Sequence, residues 1–419
     1  MIVFAATGVV ARIDFADKLV FGFLSGWAML VLMRQSVRFN KVVAHLLIWV
    51  FFGFVIALFV ALANNIPLLV SSVAFWQIWR AHISLIIGIA LLSRGNKLPD
   101  WPVVLVLQFN MIFGLLQPLL GESLMTALYP VGNMEYRSGI LRSVGVFGNP
   151  NTNAFFVVLY LLYVWKQFLI GVGGRSNRFL LALSFLSLFV SGSRTAILVL
   201  PFFMSYIAWR SGNIDSSRKG RSKVRFVGYL SGMAMVLGIA VYLSVMEENS
   251  TSTGYSLIPN TAVIMNVDSV GEGHFRSVAM INALRHFAEQ PLTGLGYGTY
   301  GSPASFSWPS PFLEQDGMIF EDWRGGRLSQ LDMLFPVILA ESGLLGLIIW
   351  SMALFKIMRV ALAFQSTGSS VFIAWVAMLL LAMFTGPGIT HPVVVVLLPF
   401  VMAWLLQEGV AFPRKCVVY

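Results

Sequence analysis

Residues 246–332 read MEENSTSTGYSLIPNTAVIMNVDSVGEGHFRSVAMINALRHFAEQPLTGLGYGTYGSPASFSWPSPFLEQDGMIFEDWRGGRLSQLD, the one long run without a membrane-spanning pattern in a very apolar chain. The run holds Arg276, Arg285, Arg324 and Arg327 together with Glu272, His274, Asp316 and Asp332, and it contains the Gly-rich piece Gly294-Leu-Gly-Tyr-Gly298. What flanks it decides the fold. A bilayer-crossing helix needs roughly 17 to 25 mostly apolar residues. Candidate segments lie near Leu19–Met33, Val42–Ala63, Leu68–Leu92, Pro102–Leu120, Thr152–Ile170, Phe179–Val190, Ala196–Trp209 and Phe226–Val245 before the run, and near Met333–Phe355, Val371–Thr385 and Val393–Leu406 after it.

These candidates predict an all-α polytopic membrane bundle of about 11 to 12 transmembrane helices. Three parts follow: N-terminal helices over 1–245, a large extracytoplasmic loop over 246–332, and C-terminal helices over 333–419. Composition agrees, with 58% hydrophobic residues, 11% charged residues and a mean hydropathy of +0.80, against roughly 25% charged residues in an average soluble domain. The formal net charge of +10 does not indicate nucleic acid, because the Lys and Arg residues cluster in short connections as membrane topology demands. The single Cys416 excludes an intrachain disulfide and a multi-Cys zinc site, and the five His residues lack metal-ligand spacing. No metal or other cofactor is expected. Asp14 and Asp17 stand where a signal peptide would be apolar, so targeting is expected from the first spanning helix.

Clusters such as Arg34/Arg38/Lys41, Arg94/Lys97, Arg175/Arg178 and Arg218/Lys219/Arg221/Lys223/Arg225 fix one side as cytoplasmic by the positive-inside rule. Every alternate connection then faces outward. Beyond Lys18, these outward connections hold no Lys, yet they carry Arg137, Arg142, Arg194, Arg276, Arg285, Arg324 and Arg327. Lys is a hydrated point charge, whereas the planar guanidinium of Arg matches phosphate oxygens two at a time. Arg137, Arg142, Arg194, Arg276 and Arg285 are therefore candidates for binding a diphosphate. The competing reading pairs each with a loop carboxylate, and it fits Arg324 and Arg327 best. The apolar stretches on either side of Ser191-Gly-Ser-Arg194 are about 12 to 14 residues long, short for a span, which predicts a turn sunk below the outer surface.

Arg137 is followed after ten residues by Gly148 ahead of Asn149-Pro-Asn151, and Arg285 is followed after ten by Gly296. Residues 276–288 read as a short amphipathic helix ended by Pro291. Gly294, Gly296 and Gly298 form either a tight turn or a phosphate-binding nest, and Tyr297, Tyr300, Phe306, Trp308 and Trp323 either stack on sugars or anchor the loop.

The set Arg137 with Phe147-Gly-Asn-Pro-Asn151, Ser191-Gly-Ser-Arg-Thr195, Arg276 with Pro291-Leu-Thr-Gly-Leu-Gly-Tyr-Gly298, and Ser329-Gln-Leu-Asp332 leading into Glu341-Ser-Gly-Leu-Leu-Gly346 resembles the O-antigen polymerase and ligase superfamily, in family order over about residues 130–350. The resemblance implies a metal-independent, inverting glycosyl transfer on the outer side of a bacterial inner membrane. Its donor would be a glycan on undecaprenyl diphosphate, and its acceptor a second lipid-linked glycan or, for a ligase, lipid A-core. Membrane lipids and a chain-length regulator protein are the implied partners. Ligases of the superfamily carry a His ahead of the helix after the large loop, where this chain has Asp332, so the resemblance favours a polymerase. Asp332 is then the first candidate base, with His274 and Glu272 as alternatives, and Arg276 the first candidate to neutralise the leaving diphosphate. Asp332 also suits a helix N-cap or a partner for Arg327. A transporter for lipid-linked oligosaccharide would need basic residues along a central cavity and an internal repeat.

Overall fold

A computed structural model describes residues 37–93, 100–128, 136–137, 140–147, 149–172, 174–214, 275–302, 304–305, 310–316, 333–364, 366–384 and 388–407. In chain order the helices are α1 (Val37–Ala63), α2 (Leu68–Ser93), α3 (Trp101–Leu128), α4 (Pro150–Leu169), α5 (Gly174–Ser191), α6 (Arg194–Ile214), α7 (Phe275–Glu289), α8 (Pro311–Gln315), α9 (Leu334–Ala363), α10 (Thr367–Leu381) and α11 (Pro392–Gln407). A two-residue antiparallel ribbon, β1 (Tyr136–Arg137) and β2 (Ile140–Leu141), precedes α4 and pairs Arg137 with Ile140.

The protein is an all-α polytopic membrane protein. Among the described residues six segments are long and apolar enough to cross a membrane: Val43–Ala63, Leu68–Leu92, Trp101–Gly121, Pro150–Leu169, Leu334–Ala363 and Thr367–Phe384. Thr195–Ser211 and Val393–Gln407 are shorter apolar helices. The expected spans Leu19–Met33 and Phe226–Val245 lie outside the described residues. The helices beside the Ser191–Arg194 turn are longer than the apolar stretches alone, at 18 and 21 residues, because the polar ends Gly174–Arg178 and Arg210–Ile214 continue them. A short helix pair therefore does not set the depth of that turn.

Packing follows from the apolar faces. α2 lies along α11 and against α1, α4 packs on α3, α5 and α6, α10 fits against α4, α6 and α11, and α9 rests on α1 and α2. Small residues let these backbones approach: a Cβ on Gly53 would stand 2.8 Å from the Trp79 ring, and one on Gly88 2.8 Å from the Met402 sulfur, the close contact that membrane helices use in place of a hydrophobic driving force. The outer surface is apolar in turn, with Phe59, Leu69 and Leu119 more than 70% exposed, as lipid contact requires. His82 is buried between the Trp79 and Trp350 rings and donates from Nε2 to the Trp350 carbonyl at 2.9 Å, so it is a structural cross-link between α2 and α9. His391 stands in the turn that opens α11, its carbonyl accepting from Val395 N–H at 2.9 Å.

Candidate active site at the loop end

Consecutive described spans from α1 to α6 alternate in direction, which sets the connection after α1, the segment before α4 and the Ser191–Arg194 turn at one end of the bundle. Asn64 after α1 donates to the Leu295 carbonyl at 2.9 Å, which brings the Gly-rich loop and the first turns of α9 to that end. Two stretches of irregular chain are fitted into that end, and each keeps its backbone polar groups paired, as an apolar surround demands.

The first is Ser143–Val146, between the ribbon and α4. Gln117 on α3 accepts from the backbone N–H groups of Val144 and Gly145, both at 2.9 Å, and its Nε2 donates back to the Gly145 carbonyl at 2.9 Å. Asn110 accepts from Val146 N–H at 3.0 Å and donates to Asn153 Oδ1 at 2.8 Å, while Asn153 donates to the Ser143 carbonyl at 3.2 Å and to its hydroxyl at 2.9 Å. Gly145 has φ 58°, and a Cβ there would overlap the Asn110 and Asn153 side chains at 2.3 and 2.5 Å. The motif around Asn149 then starts α4: the Asn149 side chain accepts from Asn151 and Thr152 N–H at 2.9 and 3.1 Å, and Pro150 takes the first helical position, where a missing N–H costs nothing.

Arg142 ties this stretch to the next turn. It is 7% exposed, donates from Nε to the Ser191 carbonyl at 3.0 Å and from Nη2 to Asn151 Oδ1 at 3.3 Å, and Ser143 N–H donates to the Val190 carbonyl at 3.1 Å. The structure therefore gives Arg142 the work of a clamp between two connections rather than that of an open cation. Arg137 lies on β1 and Arg194 is the first residue of α6. The clamp thus places the ribbon segment and the start of α6 side by side.

The second stretch is the Gly-rich loop after α7. The expected amphipathic helix is present as Phe275–Glu289, and it packs against α9 with Ala279, Ala283 and His286 buried. Arg276 is its second residue. Past its end, Leu295 N–H donates to the Ala340 carbonyl at 2.8 Å and Gly296 N–H to the Glu341 carbonyl at 2.9 Å, while Leu344 and Leu345 N–H donate to the Pro291 and Leu292 carbonyls at 2.8 and 3.0 Å. This reciprocal pairing is possible because α9 breaks at Gly343, with φ 57° and ψ −161°. A Cβ on Gly343 would lie 2.5 Å from Gly294 N, and one on Gly294 2.6 Å from both Ala340 O and Gly343 N. The two Gly-rich motifs are therefore the two halves of one backbone-to-backbone lock. Glu341, wholly buried, completes it by accepting from the N–H groups of Gly298, Tyr300 and Ser302 at 2.9, 2.8 and 3.3 Å. The N–H groups of Gly294, Gly296 and Gly298 thus serve the protein itself, and the turn reading holds over the phosphate nest.

Tyr297 and Tyr300 are core residues. Tyr297 accepts from Trp79 Nε1 at 3.3 Å, and Tyr300 donates to the Ala279 carbonyl at 2.8 Å. Burial, reinforced by the Asp316 carboxylate, holds the Tyr300 phenol well above its ordinary range. Both are closed to sugar stacking. Phe306, Trp308 and Trp323 lie outside the described residues.

The exposed Arg285 pairs with Asp316, whose side chain is fully buried and also meets His286 Nε2 at 2.8 Å. His286 Nδ1 faces Glu289 at 3.4 Å. Arg285 thus takes the carboxylate-paired alternative. It sits on a helix while Arg137 sits on a ribbon, so the shared ten-residue spacing to glycine does not reflect a shared local structure. Met333 is the N-cap of α9 and makes no side-chain capping bond. Asp332, His274 and Glu272 lie outside the described residues, as do Arg324 and Arg327.

Sequence reasoning missed Glu341 as a functional element, and also His286 and the Asn110, Gln117 and Asn153 amides. A signal existed for the amides, since three of them on apolar helices need partners. Among the described residues no group of three or more His, Cys, Asp or Glu side chains could hold a metal ion.

No curated protein matches the chain. Residues 179–351, which run from α5 into α9 and include Arg194, Arg276, the Gly-rich loop and Glu341, match the family model described as O-antigen ligase, so that part of the chain is similar to the O-antigen ligase family.

Proposed function

We propose that the protein is a membrane glycosyltransferase that joins undecaprenyl-diphosphate-linked repeat units into a surface polysaccharide, working on the periplasmic side of the bacterial inner membrane. The observation that carries this reading is the family match over residues 179–351, which covers Arg194 and Arg276 among the arginines of the Lys-free outward connections. A hydroxyl oxygen of the acceptor sugar attacks the anomeric carbon of the donor. The bond from that carbon to the diphosphate oxygen breaks, and the hydroxyl proton passes to a base. Undecaprenyl diphosphate leaves with its charge matched by guanidinium groups, which stabilise a developing anion without a metal. Arg276 is assigned to that anion first, then Arg194 and Arg137, which stand on the two connections that the Arg142 clamp joins. Asp332 is assigned as base, ahead of His274 and Glu272, since an acceptor hydroxyl needs a proton acceptor within hydrogen-bond reach.

Transfer to lipid A-core is the second reading. The description of the matching family as O-antigen ligase favours it, and the absence of a His at positions 328–336 favours the polymerase. Incubating the purified protein with lipid-linked repeat units, with and without lipid A-core, separates them. A ladder of lipid-linked glycans formed without lipid A-core is the expected result. Product on lipid A-core alone would establish the ligase, and translocation across vesicles with no new glycosidic bond would overturn both.

A further inference from the structure

A carboxylate inside a membrane helix is costly and rarely present without a role. Glu341 has no exposed surface, and it accepts from three backbone N–H groups of one loop: Gly298 on Oε2, and Tyr300 and Ser302 on Oε1. The loop is itself fastened to α7. The Tyr300 hydroxyl donates to the Ala279 carbonyl at 2.8 Å, and the Tyr300 ring stands edge-on to His286 with centroids 5.4 Å apart. Two contacts therefore lead from α9 to the helix that carries Arg276.

We propose that Glu341 is a positioning residue for the transfer reaction, holding α7, and with it Arg276, at a fixed place against α9 through the backbone of Gly298–Ser302 and the Tyr300 hydroxyl. The inference rests on the assignment of Arg276 to the leaving diphosphate. Two features argue for placement beyond mere stability. The backbone lock at Gly294 and Gly343 already joins loop to helix, so the carboxylate governs the farther part of the loop, the part that touches α7. One side chain taking three donors also sets their relative positions, where an apolar residue of the same size would leave three buried N–H groups unpaired. Charge stabilisation in a transition state falls steeply with misplacement, on the order of 100-fold in rate for 1 Å. The signature of a positioning residue is thus a fall in kcat with KM little changed.

The test uses the full chain in proteoliposomes as wild type, Glu341→Gln and Tyr300→Phe. The Gln variant turns an NH2 group toward an N–H donor, and the Phe variant removes only the hydroxyl that reaches Ala279. Turnover of a lipid-linked glycan is measured per folded molecule, alongside hydrogen exchange of the amides in 298–302 and 279–289. Expected are a kcat roughly 10-fold lower or more for Glu341→Gln and about 3-fold lower for Tyr300→Phe, with KM within about 2-fold of wild type, and faster exchange in both segments. Wild-type kcat per folded molecule in both variants, or exchange in 279–289 unchanged in both, would overturn the proposal. Should Glu341→Gln fail to fold, Tyr300→Phe decides by the same two readouts. Should wild type form no glycosidic bond, the functional reading fails, and exchange in 279–289 still decides whether Glu341 sets α7.

Discussion

The two irregular stretches at the loop end solve one physical problem by opposite means. Ser143–Val146 enters between α3 and α4 with its backbone groups met by side chains, chiefly Gln117, Asn110 and Asn153. The Gly-rich loop meets α9 backbone to backbone, with a single carboxylate added. The first depends on long polar side chains and the second on having no side chain at two positions. Amide networks adjust when one member changes, whereas a lock of two chains has no slack, so the two regions should differ in how they fail.

The largest effect is expected at Gly343→Ala. The new methyl overlaps Gly294 N at 2.5 Å and the Leu292 carbonyl oxygen at 2.8 Å at a residue with φ 57°, a steric and conformational penalty of about 2 to 4 kcal/mol. Thermal unfolding of the purified protein should show a large fall in midpoint, or folded protein should be missing from the membrane. A near-normal midpoint would mean that the lock has slack after all. Gln117→Leu comes next. It leaves the Val144 and Gly145 N–H groups without their acceptor, at about 1 to 3 kcal/mol for each buried group that stays unpaired, and repacking or water entry should hold the loss below that of Gly343→Ala. A larger loss than for Gly343→Ala would reverse the comparison. Arg285→Gln should change least, by about 0.2 to 1 kcal/mol, because an exposed guanidinium contributes little to an ion pair. A loss of several kcal/mol there would show that the Asp316 pair is a third lock.

Much of this architecture was legible in the residues. Apolar stretches of spanning length located α1 to α4, α9 and α10, and the amphipathic pattern with Pro291 located α7, because burial of apolar surface and the missing proline N–H act locally. The pairing of distant segments was not legible. Nothing in Gly294-Leu-Gly-Tyr-Gly298 says that it docks on Glu341-Ser-Gly343, since a glycine needed for a close approach looks the same as one needed for a turn. Arg142 and Arg285 illustrate the same limit: a basic residue in an outward connection signals oxygen acceptors to be met, but whether these belong to a substrate or to a neighbouring segment depends on chain separated by 31 residues for Arg285 and Asp316 and by 49 for Arg142 and Ser191. With those two engaged, the proposed diphosphate contacts are assigned to Arg276, Arg194 and Arg137.

The measurement that tests this most directly is in vitro turnover of a lipid-linked glycan by Arg276→Ala and Arg276→Lys. Loss of one well-placed donor to a developing anion costs about 100-fold or more, and Lys cannot reproduce the two-point contact. Yields at least about 100-fold lower for Ala, with Lys restoring only a small part, are the predicted result. Yields equal to wild type in both variants would contradict the diphosphate assignment.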